Sequence, residues 1–161
     1  MKLTKKLLAM ALAGVMLLTI LTGCSGGKTG DRLVEEYMAT FLSEYLGFGD
    51  IPITHDVPEI KTVADMFDPS WLENSWKNIP PTDKSTLQEV FSKYKNGYNV
   101  NLYACEVDSK QSELNQAMRV MATMGSGLTI YGPSAPSTAA KCATRLVTRE
   151  GKSYRIAVVI Y

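Results

Sequence analysis

The spacing of apolar residues first changes at Asn96-Gly97, and this change constrains the fold more than any other feature. Before it, apolar residues recur every three or four positions, which is typical of helices with one buried face. After it, apolar and more polar residues alternate over positions 98–105, which is typical of a half-buried strand. Helices followed by strands predict an α+β domain.

Capping and stop residues place the helices. Asp56 and Glu59 form a capping box, Gly47 is a typical stop, and Asp108 is expected to cap the last helix. We also expect that last helix to bury Leu114 and Met118. The predicted helices cover residues 31–46, 56–67, 70–77, 83–95 and a segment that begins at Asp108.

The second half of the chain predicts a sheet closed by a hairpin. A short strand is expected at 128–131 inside the loop 125–138, and strands 141–148 and 153–161 meet at a turn with Gly151 in a left-handed conformation. The last strand is apolar on both sides toward its end, so we expect it at the centre of the sheet. The whole prediction is four to five helices packed on a small antiparallel sheet with a C-terminal hairpin, in its fullest form a three-layer α-β-α sandwich.

Residues 1–23 have the zones of an export signal. Lys2, Lys5 and Lys6 make a positive start, and residues 7–20 form an uncharged apolar run of 14 residues. A helix that rises ~1.5 Å per residue would reach about 21 Å over this run, which is short of a stable membrane span. The run therefore predicts a signal and not an anchor helix.

Leu21-Thr22-Gly23-Cys24 follows this run and resembles the lipobox of bacterial lipoproteins. The resemblance implies cleavage before Cys24, diacylation of its thiol and attachment to the extracytoplasmic face of a bacterial cell membrane. The alternative is an ordinary secretory signal with an incidental cysteine. We expect residues 24–30 to be a flexible tether and residues 31–161 to be a single α+β domain.

Charge limits the partners of that domain. The chain has 17 Lys and Arg residues against 16 Asp and Glu, and three of the lysines lie in the signal. The remainder is slightly acidic and has no basic stripe, which argues against nucleic acid as a partner. The expected partners are the membrane, through the lipid on Cys24, and an envelope protein or glycan.

Cys105 and Cys142 lie in two predicted strands, and both a disulfide and a pair of free thiols fit that placement. An extracytoplasmic location and about 4 kcal/mol of loop-closure stabilisation favour the bridge. Alternation argues against it, because it puts the Cys105 side chain on the face opposite Val100 and Leu102. No sequence feature marks either cysteine as a catalytic thiol.

His55 is the only histidine, and it allows two interpretations. Beside a carboxylate that orients it, the ring would be a general base. The favoured interpretation is an exposed or locally hydrogen-bonded side chain at a helix start, since Asp56 is expected to cap that helix. His55→Ala would then leave stability and any activity nearly unchanged. One histidine and two distant cysteines make no zinc site, and we expect no metal and no cofactor.

Trp71 and Trp76 are five residues apart on a short predicted helix, which separates them by about 140°. One indole would then face solvent and offer a stacking surface to a sugar or a peptide. The alternative, which we favour, is that both rings pack in the core.

The order of the elements resembles that of a CAP-superfamily (SCP-like) domain. The first helix before Gly47-x-x-x-Ile51, the second helix at Asp56-x-x-x-Ile60, the helix from Asp108 and the hairpin with Gly151-Lys152-Ser153-Tyr154 carry the resemblance. It implies a three-layer α-β-α fold over nearly all of residues 31–161. The family's cavity histidines and acidic residues have no counterpart, because residues 96–100 lack glutamate and residues 124–127 lack histidine. No site residue is carried over.

The favoured functional hypothesis is a non-catalytic, lipid-anchored binding or interaction module of the bacterial cell envelope. The alternative is an envelope enzyme, a degenerate CAP/SCP-like one or another, that acts on a cell-wall polymer. A cleft with two convergent carboxylates, or with His55 beside Asp or Glu, would favour the enzyme. A structural accessory of an envelope complex would instead expose an apolar patch. The sequence assigns no catalytic residue.

Replacing Cys24 tests the anchor. Because the lipobox resemblance implies acyl chains attached through this thiol, we expect Cys24→Ala to lose all incorporation of labelled palmitate and to leave the washed membrane fraction. Metabolic labelling and cell fractionation measure the two effects. Cys105→Ala is the matched control, since it removes a thiol of the folded domain and should keep both label and location. Label that persists in Cys24→Ala would contradict lipid anchoring.

Overall fold

The computed structural model describes residues 30–45, 49, 51–132 and 138–161. The expected signal, Cys24, nearly all of the tether and the Gly47 stop lie outside these residues. Within them there are four α-helices, α1 (Gly30–Tyr45), α2 (Ile60–Met66), α3 (Pro81–Val90) and α4 (Glu113–Ala122), and five strands, β1 (Ile53–Thr54), β2 (Val100–Val107), β3 (Leu128–Tyr131), β4 (Ala140–Arg149) and β5 (Lys152–Ile160). None of the described helices is long and apolar enough to cross a membrane.

The five strands form one mixed sheet in the order β1-β4-β5-β2-β3. All neighbours are antiparallel except β1, which pairs in parallel with the first two residues of β4. The α+β prediction is confirmed, and so is the central place of the last strand, but the expected antiparallel sheet is mixed because β1 pairs in parallel with β4. Since β1 is only two residues long, most of the outer edge of β4 extends beyond it.

Helices cover both faces of the sheet, so the three-layer arrangement is also confirmed. Val34, Met38 and Leu42 of α1 belong to one buried cluster, which α4 and one face of the sheet complete. The second cluster joins α2, α3 and the tryptophan segment to the other face. Apolar residues about four positions apart on α1 all face the first cluster, whereas successive residues of a strand face opposite sides of the sheet and so belong to different clusters.

The hairpin between β4 and β5 turns through Glu150 and Gly151, both with positive φ, at 52° and 76°. Two consecutive left-handed residues are the signature of a type I′ turn, whose twist matches that of the flanking strands. The predicted left-handed Gly151 is confirmed.

Two predicted helix starts are wrong. The second helix begins at Ile60, and neither the expected capping box nor any side-chain cap from Glu59 is formed. Asp56 is exposed and lies before the turn that leads into the helix. The last helix begins at Glu113, capped by the Ser112 hydroxyl. Asp108 instead accepts the main-chain N–H of Lys110 at 2.9 Å, which closes a local turn upstream of the helix.

Both tryptophans lie in the core, which confirms the favoured interpretation and excludes an exposed indole. Trp71 is fully buried and packs edge-on against Phe67, and Trp76 is nearly buried in the same cluster. The helix that would have separated them ends at Leu72, and residues 74–76 all have positive φ. Three left-handed residues in a row break the helical geometry that would have separated the two rings, and the second indole also lies in the core.

Cys105 and Cys142 are free thiols, so the disulfide is not formed. Their strands, β2 and β4, lie on opposite sides of β5, where Cys105 pairs with Arg155 and Cys142 with Val159. Two strand spacings of ~4.8 Å alone separate them by more than the ~7 Å limit between the Cα atoms of a disulfide.

The turn geometry predicts the effect of adding a methyl group at Gly151. Because a left-handed non-glycine residue costs roughly 1–2 kcal/mol, Gly151→Ala should lower the unfolding free energy by about that amount. Urea denaturation measures it. Gly125→Ala is the control, since Gly125 has no positive φ and there is open space where a Cβ would lie, and it should change stability by less than about 0.5 kcal/mol. Equal stabilities of the two variants would contradict the turn assignment.

Candidate functional site

Arg155 is a charged residue in the middle of the central strand, with 2% of its surface exposed. Its guanidinium donates to the side-chain oxygen of Gln116 on α4, at 3.1 and 2.6 Å, and to the carboxylate of Asp31 on α1. Gln116 in turn donates to the main-chain oxygen of Gln111 at 2.9 Å. A buried charge is tolerated only when it is paired and hydrogen-bonded, so this network fixes both helices on one face of the sheet.

Two carboxylates of α1 complete the outer edge of β4. Glu35 accepts the main-chain N–H of Thr144 at 2.9 Å, and Asp31 accepts that of Leu146 at 3.2 Å. The two N–H groups are two residues apart and therefore point to the same side of the strand. The two carboxylates are four residues apart and therefore share one face of the helix. Side chains thus take over the edge where β1 stops.

His55 follows β1 directly and continues the same edge. Its Nδ1 lies 3.0 Å from the main-chain oxygen of Cys142, which can only accept, so the ring donates from Nδ1 and its Nε2 carries the lone pair when the ring is neutral. The same Nδ1 is 3.7 Å from Oε2 of Glu35, and the side chain is 10% exposed. The prediction of an exposed or only locally bonded histidine is wrong.

A cleft of about 320 Å³ opens between α1 and the start of α2, along the part of β4 that β1 does not reach. Glu35 and His55 are the most buried of its ionisable lining groups, with side chains 11% and 10% exposed. Arg32 and Arg145 also line the cleft, with side chains 43% and 48% exposed, so their guanidinium groups stand at its mouth. Asp31 links the buried network of Arg155 to the cleft, because its carboxylate pairs with the Arg155 guanidinium and also lies 3.8 Å from the guanidinium of Arg145.

Burial sets the ionisation of the two inner groups. It raises the pKa of Glu35 above its ordinary value, while the Thr144 N–H and the Arg32 guanidinium act in the opposite direction. Burial also lowers the pKa of His55 below its ordinary value. Both changes favour the uncharged form, so His55 is neutral at neutral pH. A neutral imidazole beside a carboxyl of raised pKa is able to accept a proton from a bound molecule.

The two thiols of the described residues are not nucleophiles at neutral pH. Burial raises the pKa of Cys105 to about 11 and that of the fully buried Cys142 well above its usual range, so both stay protonated. In the described part of the chain, no three His, Cys, Asp or Glu side chains are grouped so as to hold a metal ion. The chemistry of the cleft therefore depends on its carboxyl, imidazole and guanidinium groups.

The structure brings His55 into a site but leaves the other candidates outside it. Trp71 is core, Trp76 lines a different groove, and the two cysteines lie behind the cleft or away from it. Leu114 is half-buried and Met118 is exposed, because α4 turns Gln116 inward to bind Arg155.

Sequence reasoning missed Asp31, Glu35, Gln116 and Arg155. A signal for Arg155 existed, since a charge within a strand expected to be buried on both faces must have a buried partner. A weaker signal existed for α1, where Asp31 and Glu35 fall on the spacing of Met38 and Leu42 and thus border the apolar face.

Comparisons with protein-family models, with curated proteins and with solved structures find no match for this chain. The resemblance to CAP-superfamily domains stays a prediction. Function is therefore inferred from the sequence and from the geometry of the cleft.

Asp31→Asn tests the importance of the buried ion pair. Asparagine keeps the size of the side chain but leaves Arg155 without a counter-charge, so we expect a loss of roughly 2–3 kcal/mol in unfolding free energy, discounted from the ~3–5 kcal/mol of fully buried pairs because Asp31 is partly exposed. Urea denaturation measures this. Asp56→Asn, an exposed carboxylate of the same cleft, should stay within about 0.5 kcal/mol of wild type. Equal losses in both variants would contradict the assignment.

The lowered pKa of His55 predicts how stability depends on pH. Since the pKa of His55 in the folded chain is below its ordinary value of 6.5, this residue binds a proton more tightly in the unfolded chain. The contribution of neutral His55 to the free energy of unfolding is therefore fully present above pH 6.5, and it is lost as pH falls through the pKa of the folded state. Glu35 acts in the opposite sense, because its raised pKa makes stability fall as pH rises above about 4.5.

We therefore expect wild type to lose stability relative to His55→Gln as pH falls from 7 to 5, with a slope of at most about 1.4 kcal/mol per pH unit for one proton. Urea denaturation at each pH gives the difference directly. A difference that does not vary with pH would show that His55 titrates alike in the folded and unfolded chains.

Proposed function

We propose that this chain is a lipid-anchored binding module on the extracytoplasmic face of a bacterial cell membrane, with the cleft between α1 and α2 as its ligand site. The signal and the lipobox that ends at Cys24 support the anchor. The observation that carries the ligand site is the convergence of carboxyl, imidazole and guanidinium groups in one open cleft of ligand size.

The chemistry of the cleft favours a polar ligand that bears a carboxylate. The guanidinium groups of Arg32 and Arg145 are half exposed, and a planar guanidinium binds a carboxylate through two parallel hydrogen bonds. Deeper in the cleft, Nε2 of His55 is an acceptor for a hydroxyl or an amide N–H. Because hydrogen bonds to the sheet and to Arg155 already hold the inner groups, little ordering is needed on binding.

The tether places this cleft close to the membrane. Gly30, where α1 begins, lies six positions after Cys24, and at ~3.5 Å per residue this segment reaches at most about 21 Å. Asp31 lies in the first turn of α1 and lines the cleft, so a ligand would be held near the lipid surface. Fragments of peptidoglycan occur there and combine hydroxyl groups, amides and free carboxylates, and we propose them as the ligand class.

Calorimetric titration of the lipidated protein in detergent with soluble muropeptides tests this proposal. We expect saturable binding that Arg145→Gln weakens about tenfold or more, since hydrogen bonds to a charged group contribute about 1.5–3 kcal/mol. Arg119→Gln is the matched control, because this exposed arginine of α4 does not line the cleft. No binding, or equal binding by both variants, would contradict the proposal.

A second candidate function is hydrolysis of such a fragment, and one observation favours it. His55 has its Nδ1 engaged by a carbonyl, lies beside Glu35 and keeps Nε2 for a proton, which is the arrangement of a general base. Mass spectrometry of muropeptides incubated with the protein distinguishes the two functions. Cleavage that His55→Gln abolishes while binding persists would identify an enzyme, and intact fragments would leave a binding module.

A further inference from the structure

A second groove, of about 380 Å³, lies at the other edge of the sheet from the cleft, where β3 meets the start of α3. Its apolar lining includes Trp76, Ile79 and Leu128. Trp76 is almost buried yet borders the groove, so one edge of the indole forms part of its wall. The sequence singled out this residue for ligand contact, and here it contributes through a groove and not through an exposed ring.

The charged residues that line the groove are all basic. Lys77 and Lys84 line it and are exposed, and no acidic residue is among its lining groups. Within the described ranges, no carboxylate forms an ion pair with either lysine, whereas Lys93 and Lys152 each pair with a glutamate. Two uncompensated ammonium groups beside an apolar wall match a molecule with an apolar body and an anionic group.

The backbone beside the groove is held in a rare conformation. Asn74, Ser75 and Trp76 have φ of 51°, 53° and 68°, and bulky residues avoid this region. Such conformations persist only where the surrounding structure imposes them, and they concentrate at ligand sites. Here the left-handed run brings Trp76 and Lys77 to the same groove.

We propose that this groove is a second binding site, specific for small organic anions that carry a carboxylate or sulfonate on an aromatic or aliphatic body. The apolar wall takes the body, and Lys77 and Lys84 take the anionic group. The site is independent of the cleft, since the two lie at opposite edges of the five-stranded sheet and share no lining residue.

Fluorescence titration of the full chain with anilinonaphthalene sulfonate tests this proposal. Phenylnaphthylamine is the same molecule without the sulfonate, so the pair of probes isolates the contribution of the charge. We expect the sulfonate to bind at least about tenfold more tightly, as one or two charge-assisted hydrogen bonds imply. The double variant Lys77→Gln/Lys84→Gln should remove that preference and leave binding of the uncharged probe unchanged.

Two controls locate the site. Lys61→Gln/Lys95→Gln removes the same charge from exposed lysines outside the groove and should keep the preference for the sulfonate. Amide chemical shifts should move at residues 75–84 and 127–129 and not around His55. Equal affinity for the two probes, a preference that survives loss of both groove lysines, or shifts centred on the cleft would each overturn the proposal. Displacement of the probe by anionic lipid vesicles would also overturn it, in favour of a membrane contact.

Discussion

The buried ion pair between Arg155 and Asp31 is the interaction on which the site depends. Arg155 lies in the strand that has neighbours on both sides and helices on both faces, so its charge has no route to solvent. Removing one partner of such a pair typically lowers the free energy of unfolding by about 3–5 kcal/mol, so the pair fixes the position of the first turn of α1. Once Asp31 is fixed, Glu35 follows one turn later and meets the edge of β4.

The same groups serve the fold and the proposed function. Glu35 and His55 complete the hydrogen bonding of a strand edge that would otherwise be open, and unpaired edges promote association between chains. They also line the cleft, where burial raises the pKa of Glu35 and lowers the pKa of His55, so that the neutral form of each group is favoured. Because the edge is closed by side chains and not by a strand, it leaves space for a ligand where a longer β1 would have filled the cleft.

Local patterns in the sequence predicted the parts of the fold that local physics decides. Alternating residues predicted β2, apolar runs predicted β3 and β5, and Gly151 marked the hairpin, because each depends on neighbours a few residues away. The left-handed backbone at residues 74–76 has no comparable signal, so the helix predicted over residues 70–77 is wrong, although the core position favoured for Trp76 is confirmed.

The site was harder to predict because its groups meet only in the tertiary structure. His55 donates a hydrogen bond to the main-chain oxygen of Cys142, which lies 87 positions further along the chain. The parallel pairing of β1 with β4 brings the two residues together, and no local sequence pattern predicts that pairing. The free state of the two cysteines likewise follows from the strand order. Arg155 differs only in that the sequence held an unused signal for it: a lone charge in a strand predicted to be central requires a buried partner, although nothing local identifies Asp31 as that partner.

Amide hydrogen exchange at Thr144 and Leu146 tests most directly whether side chains close the edge of β4. We predict that both amides exchange slowly in wild type, like that of Arg145, which alternation directs toward β5. Glu35→Ala should speed exchange at Thr144 about tenfold, the equivalent of one hydrogen bond, and leave Arg145 unchanged. Exchange of Thr144 and Leu146 in wild type as fast as in exposed loops would contradict this account of the site.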